Sequence, residues 1–329
     1  MRDAMRPSFE EIGRAGLAWL GLAADPLAEA KALDAHRHKW ARSPRIYGFA
    51  QQSAGETFFG GSDLGSRLSS MEDADQTLAA VAALYQQVWT LQCFTKPTVS
   101  LINARLRGGA AASLCVYGTH RVAAENFRLT LPEAGDGLFP DAGATVFLNR
   151  APGCAGVYAA LTGAELTPAD ACMLGIVTQC AGADRFDAVR EALAEGEPID
   201  PFLEALHVEP GESGLLRRQP VIDHCFSGET VDDIVQLLDR VSGDDAPWAA
   251  SVAARLRAQN PAGLTLTLFA LRDNLGLRDA LARDYRLVAR IIARGGLGHA
   301  SLTRAQYEAL AAPLDSAELA LQDHWTLVD

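Results

Sequence analysis

Two carboxylates eight residues apart, Glu133 and Asp141, stand in a loop that reads PEAGDGLFPDAG. Just upstream, Gly108-Gly109-Ala110-Ala111-Ala112 is a run of small residues that opens a helix. The N–H groups in a helix's first turn have no intrahelical acceptor and favour a negative ligand. Donors fixed in this way can hold charge that develops on a carbonyl oxygen. A carboxylate beside them can take a proton from water or attack the acyl carbon itself. Each part alone has a plainer explanation. A glutamate after proline is more often a surface or capping group, and an aspartate after proline more often starts a turn. A Gly/Ala run more often allows close helix packing. What favours acyl chemistry is their succession within one stretch, Lys96 to Leu148.

The flanking chain supplies elements to position them. Pro97 precedes an apolar strand over Thr98–Asn103, and the small-residue helix ends near Gly118. Strands over Arg121–Ala124 and Phe127–Leu131 then lead into the carboxylate loop. Earlier, Leu17–Leu22 and Arg45–Gln51 read as strands and Leu27–Trp40 as a helix. Gly60-Gly61-Ser62-Asp63 is a turn with two permissive residues. Asp75–Gln92 is a long helix, with Leu78, Val81, Ala82, Tyr85, Val88 and Trp89 at helical spacing. Later, Val157–Leu161 is helical. Thr167-Pro168-Ala169-Asp170 forms a capping box whose helix stops at Gly175, and Ile176-Val177 starts a strand.

The recurring order of strand, strand, helix predicts an α/β fold. After Arg185 the pattern changes, and Glu195–Phe202 reads as a boundary. The organisation expected is a core over 1–193, and a mainly helical C-terminal region over 194–329 that packs on it. In that region Ile234, Leu237, Leu238 and Val241 share one helical face. Leu264, Leu268, Leu271 and Leu275 share another.

Composition narrows the function. A chain of 329 residues with 49% hydrophobic content can bury a full core. A net charge of −12 leaves no global basic field for nucleic acid. The six cysteines show no C-x-x-C spacing and read as free thiols, with neither a disulfide framework nor a zinc knuckle. The histidines show no ligand spacing, so no metal is expected. No apolar run approaches membrane length and the opening MRDAMRPSFEE has no apolar signal core, so a cytoplasmic protein is expected. Arg37, Lys39, Arg42 and Arg45 form a basic cluster, either an anion contact or a solvated helix face.

As a set, several motifs resemble the crotonase (enoyl-CoA hydratase/isomerase) superfamily. They are Gly60-Gly61-Ser62-Asp63, Lys96-Pro97, the Gly108-Gly109 helix start, Leu131-Pro132-Glu133 and the run Gly137 to Gly143. The phrase GLFPDAG, with Arg150-Ala151-Pro152-Gly153 and Ala160-Leu161-Thr162-Gly163, is most similar to the 3-hydroxyisobutyryl-CoA hydrolase branch. The resemblance implies a spiral of strand-strand-helix units with a helical C-terminal region. It implies an acyl-CoA substrate, with coenzyme A part of that substrate and no separate cofactor. With the branch come valine catabolism and, from the superfamily's trimers and dimers of trimers, self-association. By position, one donor to the thioester oxygen falls on Gly60 and the other on Gly109 or Ala110. Glu133 matches the catalytic glutamate and Asp141 the substrate-contacting aspartate.

Ser113 stands where the superfamily's hydratases carry a second glutamate. Serine unaided is no general base at neutral pH, so hydrolysis is expected ahead of hydration. Two family signatures are missing. Ala23–Leu33 lacks the asparagines and arginine of the adenine-binding stretch, and Ala293–Thr303 reads ARGGLGHASLT in place of an acidic-aromatic Gly-Val-Arg pattern. The alternatives are a hydratase or isomerase working with Glu133 alone, and a degenerate member that binds acyl-CoA without turnover.

Overall fold

The computed structural model describes residues 8–21, 26–53, 55–57, 64–70 and 73–314. The chain opens with a hairpin of β1 (Ser8–Ile12) and β2 (Ala15–Leu20), then α1 (Pro26–Arg42). Strand β3 (Gly48–Ser53) is followed by α2 (Leu64–Ser70) and α3 (Ala74–Gln92). Two further units repeat the order: β4 (Thr98–Ile102), β5 (Arg105–Arg107) and α4 (Gly109–Val116), then β6 (His120–Ala123), β7 (Arg128–Thr130) and α5 (Ala144–Asn149). Helices α6 (Ala155–Thr162) and α7 (Pro168–Met173) lead to β8 (Gln179–Cys180) and α8 (Phe186–Glu195).

Among the described residues, the main sheet has six strands in the order β1-β2-β3-β4-β6-β8, parallel except for the β1–β2 hairpin. β5 and β7 form a second, parallel pair, extended by bridges at Thr57 and Leu166. From β3 to α5, each turn of the spiral therefore gives one strand to the main sheet, a short piece to the second, and a helix that carries the chain back.

From residue 194 onward the described elements are helical. They are α9 (Ile199–Leu206), α10 (Gly214–Arg217), α11 (Gln219–Phe226), α12 (Val231–Asp239), α13 (Ala246–Ala258), α14 (Pro261–Arg272), α15 (Leu277–Ala293) and α16 (Arg304–Ala311). Side chains alternate across the main sheet. Ala15, Leu17, Ala50, Val99, Leu101 and Val122 pack with Phe186, Val189 and Leu193 of α8 and Ile199 and Leu203 of α9. Phe49 and Ile102 join the larger core with α1, α3 and α4.

Two sequence expectations shift, and one strand is unexpected. β1 reads SFEEI, mostly exposed, and carries no alternation that would mark a strand. Ile176 and Val177 lie in a turn, not a strand. Gly175 takes φ +72°, and both following N–H groups bond back to Ala171 O (2.9 and 3.1 Å), which closes the end of α7. Arg37 is neither solvated nor open to an anion. It sits on the inward stripe of α1 with Leu33 and Trp40, fully buried. It donates to Gln87 O (3.1 Å), Gln87 Oε1 (2.9 Å) and Gln51 Oε1 (2.8 Å). Gln51 in turn donates to Ser100 Oγ (2.8 Å) and Leu114 O (2.5 Å), which ties α1 to the sheet and to α4. Burial pulls the Arg37 pKa down to about 10, so it stays charged at neutral pH.

Candidate active site

The short β5–β7 pair places the first carboxylate. Arg107 lies opposite Thr130, and the Gly108 N–H donates to Thr130 O at 2.8 Å. Beyond this point the two chains part. One starts α4 and the other runs through Leu131-Pro132 to Glu133. The register sets the helix start beside the glutamate, and the Gly109 N–H donates to Glu133 Oε1 at 2.6 Å. Glu133 is fully buried. Its carbonyl steadies the loop by accepting from the N–H groups of Leu138 (2.8 Å) and Asp136 (3.1 Å).

Asp141 comes to the same place from the far end of the loop. A Cβ at Gly109 would lie 2.9 Å from the backbone N and O of Asp141, and 2.8 Å from the Ala144 side chain. Glycine is therefore needed at 109 to let the aspartate's backbone approach the helix start. The Asp141 side chain is fully buried. Its Oδ2 accepts from Arg67 Nη2 (2.5 Å) on α2 and from the Tyr85 hydroxyl (2.8 Å) on α3. Its Oδ1 has no hydrogen-bond partner among the described residues.

Burial by itself would favour losing the Arg67 proton. The charges of Asp141 and Glu133, with the hydrogen bond to Asp141, outweigh burial and hold the guanidinium above its usual value. For Tyr85, burial and the adjacent Asp141 carboxylate push the phenol well above its usual value, so it remains a donor at neutral pH.

Of the residues singled out in the sequence, Glu133, Gly109, Ala110 and Asp141 are brought together. Gly60 lies outside the described residues. Ala110 occupies the second position of α4, where its N–H has no intrahelical acceptor. Ser113 follows on the same helix, fully buried, with its Oγ unpartnered among the described residues. Arg67 and Tyr85 escaped the sequence reading. Tyr85 left one signal, since a tyrosine on a buried stripe must find a partner for its hydroxyl. Arg67 left none. A cleft of about 690 Å³ shares α2 and the carboxylate loop with this site. It is lined by Gly65, Leu68, Asp136, Leu138, Asn260 and the stretch from Gly295 to His299, among others. Part of the departure seen at 293–303, Gly295 to His299, thus lines a cleft that borders the loop between the two carboxylates.

A spiral of strand-strand-helix units whose helix start meets a buried carboxylate loop defines the crotonase class. A profile described as Enoyl-CoA hydratase/isomerase matches residues 27–299, and the chain belongs to that family. The chain is similar to 3-hydroxyisobutyryl-CoA hydrolase 1 of Arabidopsis thaliana, 32% identical over 72% of this chain and 66% of the plant protein. It thus spans slightly less than two thirds of that relative's length. A crystal structure of a carnitinyl-CoA dehydratase from Mycobacterium thermoresistibile superposes with a TM-score of 0.81 at 26% identity, covering 94% of this chain and 97% of that one. A further relative, small ribosomal subunit protein mS47 of Arabidopsis thaliana, is 26% identical over 75% of this chain and 63% of its own.

Proposed function

We propose that the protein hydrolyses acyl-CoA thioesters, as the name of its hydrolase relatives says of them. The observation that carries this reading is the single buried glutamate at the start of α4. Glu133 is bonded to the Gly109 N–H, and position 113 on the same helix offers serine instead of a second carboxylate. Adding water across a double bond is helped by two carboxylates that hold the water and pass its proton. Hydrolysis needs one carboxylate near the carbonyl, and Asp141, with Oδ2 tied to Arg67 and Tyr85, takes the part of a substrate contact and not of that second carboxylate on α4.

The residues then take the following roles. The thioester oxygen accepts from the Ala110 N–H, since the Gly109 N–H is engaged by Glu133; the Gly60 turn is the expected source of the second donor. Glu133, with Oε1 held by the Gly109 N–H at the helix start, either attacks the acyl carbon or draws a proton from the attacking water. The C–S bond breaks, water supplies the hydroxyl of the acid, and coenzyme A leaves as the thiol. Asp141, with Oδ2 held by Arg67 and Tyr85, offers Oδ1 to a β-hydroxyl of the acyl group or to the water.

A parallel assay separates the two catalytic readings. Thiol release is followed with 3-hydroxyisobutyryl-CoA, and loss of enoyl absorbance with crotonyl-CoA. Thiol release without enoyl hydration is expected. The reverse pattern would make the protein a hydratase working with Glu133 alone.

The likeness to mS47, together with the altered stretches at 23–33 and 293–303, favours a second reading as a binding or assembly module. Calorimetric titration with coenzyme A esters decides it, because tight binding with no turnover is its signature.

A further inference from the structure

The turn that carries Asp141 is bent in a costly way. Ala142 has φ +58° and Gly143 has φ +77°, two left-handed residues in succession. Ala142 is not glycine and is fully buried, and its conformation costs on the order of 1 kcal/mol. At Gly143 the left-handed φ itself is what calls for glycine, since a Cβ there would meet only the tip of a leucine side chain, Leu277 Cδ1 at 2.5 Å.

Both polar groups of Gly143 are gripped by buried side chains from distant elements. Its N–H donates to Asp284 Oδ2 (2.8 Å) on α15, and its carbonyl accepts from the Tyr117 hydroxyl (2.7 Å) just past α4. Asp284 is fully buried, and its Oδ1 accepts from Arg283 Nε (3.1 Å) and Nη2 (2.7 Å). Arg283 also donates to Thr145 Oγ1 (2.8 Å) and to Ala270 O (2.5 Å). Two side chains of α15 thus hold positions 143 and 145. A buried ion pair is poor value as stability alone, because a well-packed apolar pair often does as well or better. An apolar residue at 284 could not accept the Gly143 N–H.

We propose that Asp284 is a positioning residue for the active site: with Tyr117 it locks the 141–143 turn, so that Asp141 keeps Oδ2 on Arg67 and Tyr85 and presents Oδ1 to the substrate. This role rests on the reading of Asp141 given above. Asp284 touches no substrate itself. It acts through one backbone amide.

The test uses Asp284→Asn and Tyr117→Phe in the full chain, with two readouts. Hydrogen exchange over residues 138–149 reports the turn whatever the reaction. Rates with 3-hydroxyisobutyryl-CoA and isobutyryl-CoA report whether Oδ1 still discriminates the hydroxyl. Faster exchange confined to 138–149 in both variants is expected. So is a ten- to hundredfold fall in kcat/KM for the hydroxylated ester, with a smaller fall for the plain one. A merely structural role would lower both esters alike. If the wild type releases no thiol, the hydrolase reading fails, while exchange still decides the clamp. Exchange over 138–149 equal to wild type in Tyr117→Phe overturns the proposal, even where Asp284→Asn loosens the whole fold.

Discussion

A methyl group at position 109 has nowhere to go. It would press on the backbone of Asp141 and the side chain of Ala144, none of which is a flexible tip. Gly109→Ala is therefore expected to push the Asp141 turn away from the helix start. An error of about 1 Å at a reacting centre costs about 10²-fold, so kcat for thiol release should fall by that order while circular dichroism stays unchanged. Unchanged kcat would mean that the approach of Asp141 to α4 does not matter. The residue scale also divides what could be read from sequence. Glu133 and Asp141 were legible because their loop follows a recognisable helix start. Their partners were not. Arg67 lies 74 residues before the Asp141 it holds and Asp284 lies 141 residues after the Gly143 it holds, and nothing local to a serine-flanked arginine or a helical aspartate betrays either pairing.

Among the elements, α7 shows how far a local pattern reaches. The Thr167-Pro168-Ala169-Asp170 box forms as the sequence implies, with Asp170 N–H donating to Thr167 Oγ1 (3.2 Å) and Asp170 Oδ2 accepting from the Thr167 N–H (3.1 Å) and hydroxyl (2.8 Å). The other oxygen, Oδ1, serves a second element. It accepts from Ser213 Oγ (2.8 Å) and the Leu215 N–H (3.1 Å), so α7 and α10 share one carboxylate. Burial would raise the Asp170 pKa, but the bonds from Leu215, Ser213 and Thr167 outweigh it and hold the carboxyl below its usual value. A lowered carboxylate stabilises the fold above its unfolded pKa, and that contribution is lost as pH falls through the folded value. Asp170→Ala should cost about 2–3 kcal/mol at pH 7, measured by urea denaturation, and less at pH 3. A cost that is equal at both pH values would contradict the assignment. The strands follow the same rule of legibility. β4 and the β6–β7 region stood out by apolar content, whereas β1 exists through its pairing with β2 and the sequence could not announce it.

For the whole molecule, the C-terminal helices do more than cover the core. α15 reaches the active-site turn through Asp284, and Asn260 at the start of α14 donates to Gly298 O (3.1 Å) beside the cleft. Keeping a carboxylate so deep has a measurable signature. Burial pushes Asp284 up to about 6, even though Arg283 and the Gly143 N–H pull it down. A raised carboxyl favours the folded state when protonated. Its contribution is full below about pH 4 and is lost as pH rises through 6, on the order of 3 kcal/mol. Asparagine does not titrate. The Tm of Asp284→Asn relative to wild type should therefore climb by a few degrees between pH 4 and pH 7. A flat difference across that window would contradict the buried, ionising carboxylate. The family could be recognised from its motifs, since spacing within one stretch survives in sequence. The linkage of α15 to the turn could not, because it exists only once the helices pack.

The central claim is that Glu133 at the start of α4 performs thioester hydrolysis. Thiol release from 3-hydroxyisobutyryl-CoA by wild type and Glu133→Gln tests it most directly. Glutamine keeps an oxygen for the Gly109 N–H but can neither attack the acyl carbon as an anion nor take a proton from water. The account predicts steady release by the wild type and a loss of at least about 10³-fold in the variant, with folding intact. Equal rates in the two proteins would contradict it.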